Sequence, residues 1–283
     1  MLYSTTSVAP ATPASIRALF PNTNAIMLAL GADGGGYTSA PSNAAIVSYV
    51  QQANAAGFWV GLSDYVPGQP QVRSGQDLTN SLAWYGALAK ACLGLKVYWT
   101  TENEVGGTLD TMFAGVYAAV RGAGDNSLIF LEVQDGNPGS TSGMSAGTFA
   151  DMTGVGLNVH FYPWAFTGKS GNTQAGYDAT AMGYVNTLKS FAQSKDGVMP
   201  VIMGEGGNAT SGNNGPIDDA TINGKFATVQ ATLDSLKPGG LSGAMFWLHD
   251  WQGGGGDADT LVVGGALTQY GQQVATGFAA IPL

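Results

Sequence analysis

Short apolar runs, each followed by a stretch of helical periodicity, recur along this chain at a spacing of roughly 30 to 45 residues, which is the rhythm of repeated βα units. The runs begin at residues 24–30 (NAIMLAL) and 58–62 and continue with the start of 96–107 (KVYWTTENEVGG), 128–133, 155–159, 198–203 and 241–247. Those that are continuously apolar read as strands covered on both faces. Between them lie helical stretches. Ser42-Asn43 can cap one whose inward residues are Ile46, Val47, Val50 and Ala53, stopped at Gly57. Further helices turn inward Leu78, Leu82, Tyr85, Ala89 and Cys92, then Leu109, Met112, Phe113, Val116, Tyr117 and Val120, with a last one over 268–278. Seven runs are one short of a closed eightfold barrel, and Met1-Leu2-Tyr3 are read as the end of the missing first strand. The expected fold is α/β, a (β/α)8 TIM barrel with its first strand truncated at the N-terminus, forming one domain over residues 1–283. The rival is an open doubly wound sheet, but residues 31–36 lack the GxGxxG spacing of its phosphate turn.

Composition limits the partners. Charged residues are 10% of the chain against roughly 25% in an average globular protein, so solubility rests on neutral polar groups. A formal charge of -9 with only 10 Lys and Arg argues against nucleic acid, which needs a basic field, and favours a neutral ligand. The single cysteine, Cys92, rules out an internal disulfide or a cysteine-based zinc site and is expected to be a buried core thiol. No apolar run is long enough to span a bilayer, so no membrane partner is expected. The N-terminus carries no basic region followed by an apolar stretch, so an export signal would have been removed or would lie upstream.

In a parallel barrel, chemistry gathers where the strands end. Here these ends present Asn103-Glu104, then His160 and Tyr162, then Glu205. Both histidines of the chain, His160 and His249, fall at or just after strand ends beside aromatic residues. Two carboxylates facing each other across a cleft can cleave a glycosidic bond with retention when they lie roughly 5 to 5.5 Å apart, one attacking the sugar carbon and the other protonating the leaving oxygen. Trp164, His249 and Trp251 are candidates for a platform on which a sugar face stacks. Glu102 is read as a loop or supporting residue, and residues 253–261 (GGGGDADTL), an imperfect copy of a calcium-binding nonapeptide, as a loop beside the site.

On these motifs the chain resembles the clan A retaining glycoside hydrolases, most closely glycoside hydrolase family 5, the cellulase family. The resemblance runs from Asn24 to Trp247. TENEV resembles the Asn-Glu pair that ends the family's fourth strand, which implies Glu104 as acid/base and Asn103 as the ligand of the sugar 2-hydroxyl. HFY resembles its His-x-Tyr, implying roles in substrate binding for His160 and Tyr162. GEGG resembles Gly-Glu-Phe-Gly, implying Glu205 as nucleophile, and Trp247 resembles the tryptophan that floors the catalytic subsite.

Four positions depart from the family pattern. Met27 stands where a second-strand arginine is usual, Ser63-Asp64 where a third-strand histidine is usual, Val105 in place of Pro and Gly206 in place of Phe. Without the arginine the nucleophile loses a stabilising charge, so another group compensates or activity falls. The resemblance implies a secreted, monomeric hydrolase of a β-1,4-linked polysaccharide, cellulose first, acting by double displacement with no cofactor and no metal. A mannanase or xylanase of the same clan, and a barrel that binds polysaccharide with impaired catalysis, are the alternatives.

Overall fold

A computed structural model describes residues 2–3, 12–30, 42–64, 74–101, 107–133, 138–166, 171, 173–206, 222–237, 239–246 and 261–281. Eight strands make one sheet in strict sequence order: β1 (Leu2–Tyr3), β2 (Ala25–Ala29), β3 (Trp59–Ser63), β4 (Val97–Thr100), β5 (Ile129–Glu132), β6 (Val155–Phe161), β7 (Val201–Gly206) and β8 (Gly243–Ala244). Every pairing in the sheet is parallel. Parallel neighbours need a crossover. It is supplied by α1 (Pro13–Leu19), α2 (Asn43–Ala55), α3 (Gly75–Ala91), α4 (Asp110–Gly122), α5 (Gln174–Phe191) and α6 (Ile222–Asp234), with α7 (Gln269–Ala279) after the last strand. Between β5 and β6 the described residues hold only a 3-10 turn, Ala146–Phe149. This is the (β/α)8 barrel order, and the expected first-strand remnant is there, with Leu2 opposite Leu28 and Tyr3 opposite Ala29.

The alternation of side chains sorts the strands into two populations. Leu62, Trp99, Leu131, Leu157, Val159 and Met203 join the main core beneath the helices, together with Ile46, Val50, Phe113 and Leu188. The opposite faces fill the barrel, where Tyr98, Phe130 and Ile202 pack with Ala25 and Met245. Glycine makes room for those rings: a Cβ on Gly61 would lie 2.3 Å from the Tyr98 ring, and one on Gly156 2.6 Å from Phe130. Met27, 2% exposed, stands opposite Gly61 and belongs to neither cluster.

Side-chain caps set several helix starts, the expected one at Ser42 among them. The Ser42, Thr173 and Thr268 side chains accept from the backbone N–H three residues on. One expectation is corrected. The run 198–203 does not enter the sheet until Val201, because Val198 turns back to pair with Gln193 in a two-strand hairpin and Pro200 has no N–H to offer. On α3 the expected inward face is present: Tyr85, Ala89 and Cys92 are buried, Leu78 and Leu82 pack partly buried against the same core, and Ser81 and Leu88 join them. Ser81 sits on that face because its hydroxyl finds a partner there, donating to Asp64 Oδ2 at 2.6 Å.

Cations brace the end of the barrel where the strands begin. Arg121 donates to the carbonyls of Asp125, Ser127, Thr153 and Gly154. Arg17 donates to those of Pro21, Thr23 and Ala56, and Lys189 to those of Gly239 and Gly240. At that end opens a cavity of about 860 Å³ lined by Ala25, Trp59, Tyr98, Phe130, Ile202 and Met245. It lies at the opposite mouth from the strand ends that carry the candidate site.

Candidate functional site

Glu205 owes its position to a slip of one residue. Along β6 and β7 the register runs Asn158 to Ile202 and Val159 to Met203, then jumps so that His160 faces Glu205 and Phe161 faces Gly206. Gly204 is the extra residue. With regular alternation it would occupy the inward position opposite His160, and Glu205 would point toward the helices; the bulge turns Glu205 to the side His160 faces. Gly204 itself cannot carry a side chain, since a Cβ there would lie 2.1 Å from Asn158 Oδ1.

The consequence is a compact polar group at the inner end of the barrel. The Tyr162 hydroxyl donates to Glu205 Oε1. His160 Nδ1 lies 3.9 Å from Glu205 Oε2, and on the other edge of the ring His160 Nε2 lies 3.4 Å from Glu132 Oε2. All four side chains are at most 9% exposed. Asn158 points its Nδ2 toward Glu132 Oε2 and Thr100 Oγ1, 3.5 Å from each. The structure therefore brings together three of the sequence-expected residues, His160, Tyr162 and Glu205, and adds Glu132 and Asn158. Glu132 is not among the sequence-expected residues because it falls inside the run 128–133 rather than after it. The signal was available, since LIFLE is an apolar strand closed by a carboxylate, as GEGG follows its own strand.

The departures also have positions. Met27 fills the inward place on β2 with an uncharged side chain. Ser63 donates to the Thr101 carbonyl at 3.0 Å, and Asp64 is tied to Ser81 of α3, so neither supplies the imidazole that the family pattern expects. Gly206 pairs with Phe161 at the end of β7.

The last residues of β4 are held from three sides. Tyr85 donates its hydroxyl to the Thr100 carbonyl at 2.6 Å, Ser63 bonds to the Thr101 carbonyl, and Thr101 Oγ1 accepts from the Glu132 backbone N–H at 2.7 Å. Residues 102–106 follow, so Glu102, Asn103 and Glu104 lie outside the described residues, as does Val105. The chain resumes at Gly107, pressed against Gly143, and Leu109 N–H donates to the Gly143 carbonyl at 2.8 Å. Asp110 opens α4 and accepts from Ser145 N–H and Thr148 Oγ1. Burial alone would raise its pKa, but these hydrogen bonds outweigh that and hold the carboxyl below its ordinary range. Trp247, His249, Trp251 and residues 253–260 also lie outside the described residues. Trp164 falls in the 3-10 turn Pro163–Phe166, and its side chain is outside what is described.

No described helix is long and apolar enough to cross a membrane, and no grouping of three or more potential ligands suited to a metal ion occurs among the described residues. No family profile matches the chain, and no curated protein does. Solved structures do. The mannanase catalytic domain from Streptomyces sp. SirexAA-E superposes with a TM-score of 0.68 at 17% identity, over 98% of this chain and 83% of that one. The catalytic domain of a Thermobifida fusca endoglucanase, solved in complex with cellotetraose, gives 0.65 at 15% identity, over 95% and 86%. The β-mannanase from Streptomyces thermolilacinus with mannohexaose gives 0.64 at 18% identity, over 94% and 82%. At these identities the likeness establishes the barrel fold.

Proposed function

We propose that this barrel is a retaining glycoside hydrolase of β-1,4-linked polysaccharides, with glucan as the first substrate to test and mannan as the second. The observation that carries the reading is Glu205: a buried carboxylate at the C-terminal end of a barrel strand, re-aimed inward by a bulge and gripped by Tyr162, with His160 beside it. A carboxylate fixed by a donated hydrogen bond is held ionised and oriented, as attack on an anomeric carbon requires. Glu205 forms the glycosyl ester while Glu104 protonates the departing oxygen. Glu104 then takes a proton from water as that water opens the ester. Asn103 binds the sugar 2-hydroxyl, and Trp247, Trp164, His249 and Trp251 receive sugar faces. Endoglucanases and mannanases of the same fold support the substrate class. The protein is proposed to act as a monomer outside the cell, where polymeric glycans are met.

A second reading has its own observation. Met27 puts no charge where the family places an arginine, so a barrel that binds polysaccharide without cleaving it is the alternative. Reducing-end release from carboxymethylcellulose, mannan and xylan separates the two: turnover of none, with binding intact, leaves the binding protein. In the enzyme, Glu205→Gln removes turnover on every substrate. Glu104→Ala lowers polysaccharide cleavage by about 10²- to 10⁴-fold yet spares ester formation from aryl glycosides with good leaving groups. Identical behaviour of the two variants on an aryl glycoside would reverse or remove the assigned roles.

A further inference from the structure

The cavity of about 860 Å³ at the mouth where the strands begin has a structural cause. Trp59, Lys96 and Leu128 stand at its rim, two residues before Gly61, Tyr98 and Phe130, so strand alternation puts them on the inward side. In a packed barrel a layer of inward side chains closes this level. Here the corresponding places on β2 and β8 hold Ala25 and Gly243, which are too small to fill it, and Trp59 and Leu128 stay 48% and 47% exposed with Lys96 exposed between them. The floor is preformed: the Tyr98 and Phe130 rings meet edge to face at 5.8 Å, Ile202 packs with them, and the Tyr98 hydroxyl donates to Met245 Sδ at 3.5 Å. A preformed apolar cavity of about 300–1,000 Å³ with few polar groups is the usual form of a small-molecule site.

The charge at the rim selects the ligand. In a chain of formal charge -9, the described residues that line this cavity include one cation, Lys96, and no Asp or Glu. Among the described residues Lys96 forms no ion pair. Its backbone is fixed by Asn54, which accepts from the Lys96 N–H at 2.7 Å and donates to the Lys96 carbonyl at 3.1 Å, so the ammonium swings from an anchored point. We propose that this cavity binds a small amphipathic carboxylate, an acyl chain or an aromatic acid, with its apolar body on Tyr98, Phe130, Ile202 and Met245 and its carboxylate at the rim on Lys96. An apolar body displaces water from the rings, and an anionic head stays half in solvent where a charge is cheap to hold. A sugar seated as deeply would press hydroxyls against Phe130 and Ile202 without partners, and a cation would meet the ammonium.

The site lies at the opposite mouth from Glu205 and is independent of the hydrolase reading. Isothermal titration calorimetry of the full chain with decanoate, and with decanol as its uncharged counterpart, tests it. The wild type should bind decanoate at least about fivefold more tightly than decanol, the preference that one exposed charge pair supplies, and Lys96→Gln should lose that preference. Ala25→Trp places an indole in the cavity and should remove binding of both. The proposal is overturned by absence of decanoate binding up to about 1 mM, by a smaller preference or one that survives in Lys96→Gln, or by binding that survives in Ala25→Trp. If circular dichroism shows that Ala25→Trp does not fold, methyl NMR of the wild type decides. Decanoate should then shift the Met245 signal, one of nine methionine methyls, assigned by its loss in Met245→Leu. Shifts confined to other methionines overturn the site.

Discussion

Tyr162 and Glu205 are 43 residues apart in sequence and meet through one donated hydrogen bond. A bond from a neutral hydroxyl to a carboxylate is worth about 1.5–3 kcal/mol. Tyr162→Phe is therefore expected to lower kcat/KM by about 10- to 100-fold with the fold intact, as measured by steady-state kinetics and circular dichroism. An unchanged kcat/KM would remove Tyr162 from the site. His160, Tyr162 and Glu205 were legible because each follows an apolar strand and breaks its pattern. What the sequence concealed was orientation. The side chain of Glu205 faces His160 only because Gly204 absorbs a residue, and periodicity places it on the other face. Glu132 was concealed for the converse reason, since it sits within the run 128–133 and not beyond its end. Asn158, with its apolar neighbours Leu157 and Val159, gave no signal that its amide would lie against Gly204.

At the level of elements, the strand order and most helix starts could be read directly, because continuous apolar runs, caps and terminal glycines are local signals. Local signals do not say where a strand begins to pair. The run 198–203 is uniformly apolar except for Pro200, yet its first residue belongs to a hairpin and is 59% exposed. A similar long-range contact joins Gly107 to Gly143. Gly107 receives the chain just after residues 102–106 and rests against Gly143, whose φ is +77° and whose absent Cβ would lie 1.8 Å from the Gly107 carbonyl oxygen. Gly143→Ala must move one of these backbones and strain the other. It is expected to lower stability by about 2–4 kcal/mol in chemical denaturation. Under the proposed assignment, activity should fall further than stability explains, since Glu104 precedes Gly107 by only three residues in sequence. Native-like stability and activity in this variant would sever the link between the two turns.

For the molecule as a whole, Cys92 offers a reporter of unfolding. Its thiol is 1% exposed at the end of α3, and burial, with the Asp125 charge adding to it, pushes the pKa up to about 11. At pH 8 the native thiol is protonated and covered. Reaction with Ellman's reagent should run at least about a hundredfold slower than in guanidinium, at a rate set by opening of the structure. Fast native labelling would contradict the burial. The same scale shows how a chain so poor in charge uses its cations. Arg17, Arg121 and Lys189 all grip backbone carbonyls at the end where strands begin, remote from the polar group around Glu205. An engineer would recognise a chassis there. Under the proposed function, the segments that follow the strands can be randomised or exchanged to seek new sugar specificities in a directed-evolution library, while the fasteners that hold the repeats in order stay on the other side of the barrel and outside the mutated positions.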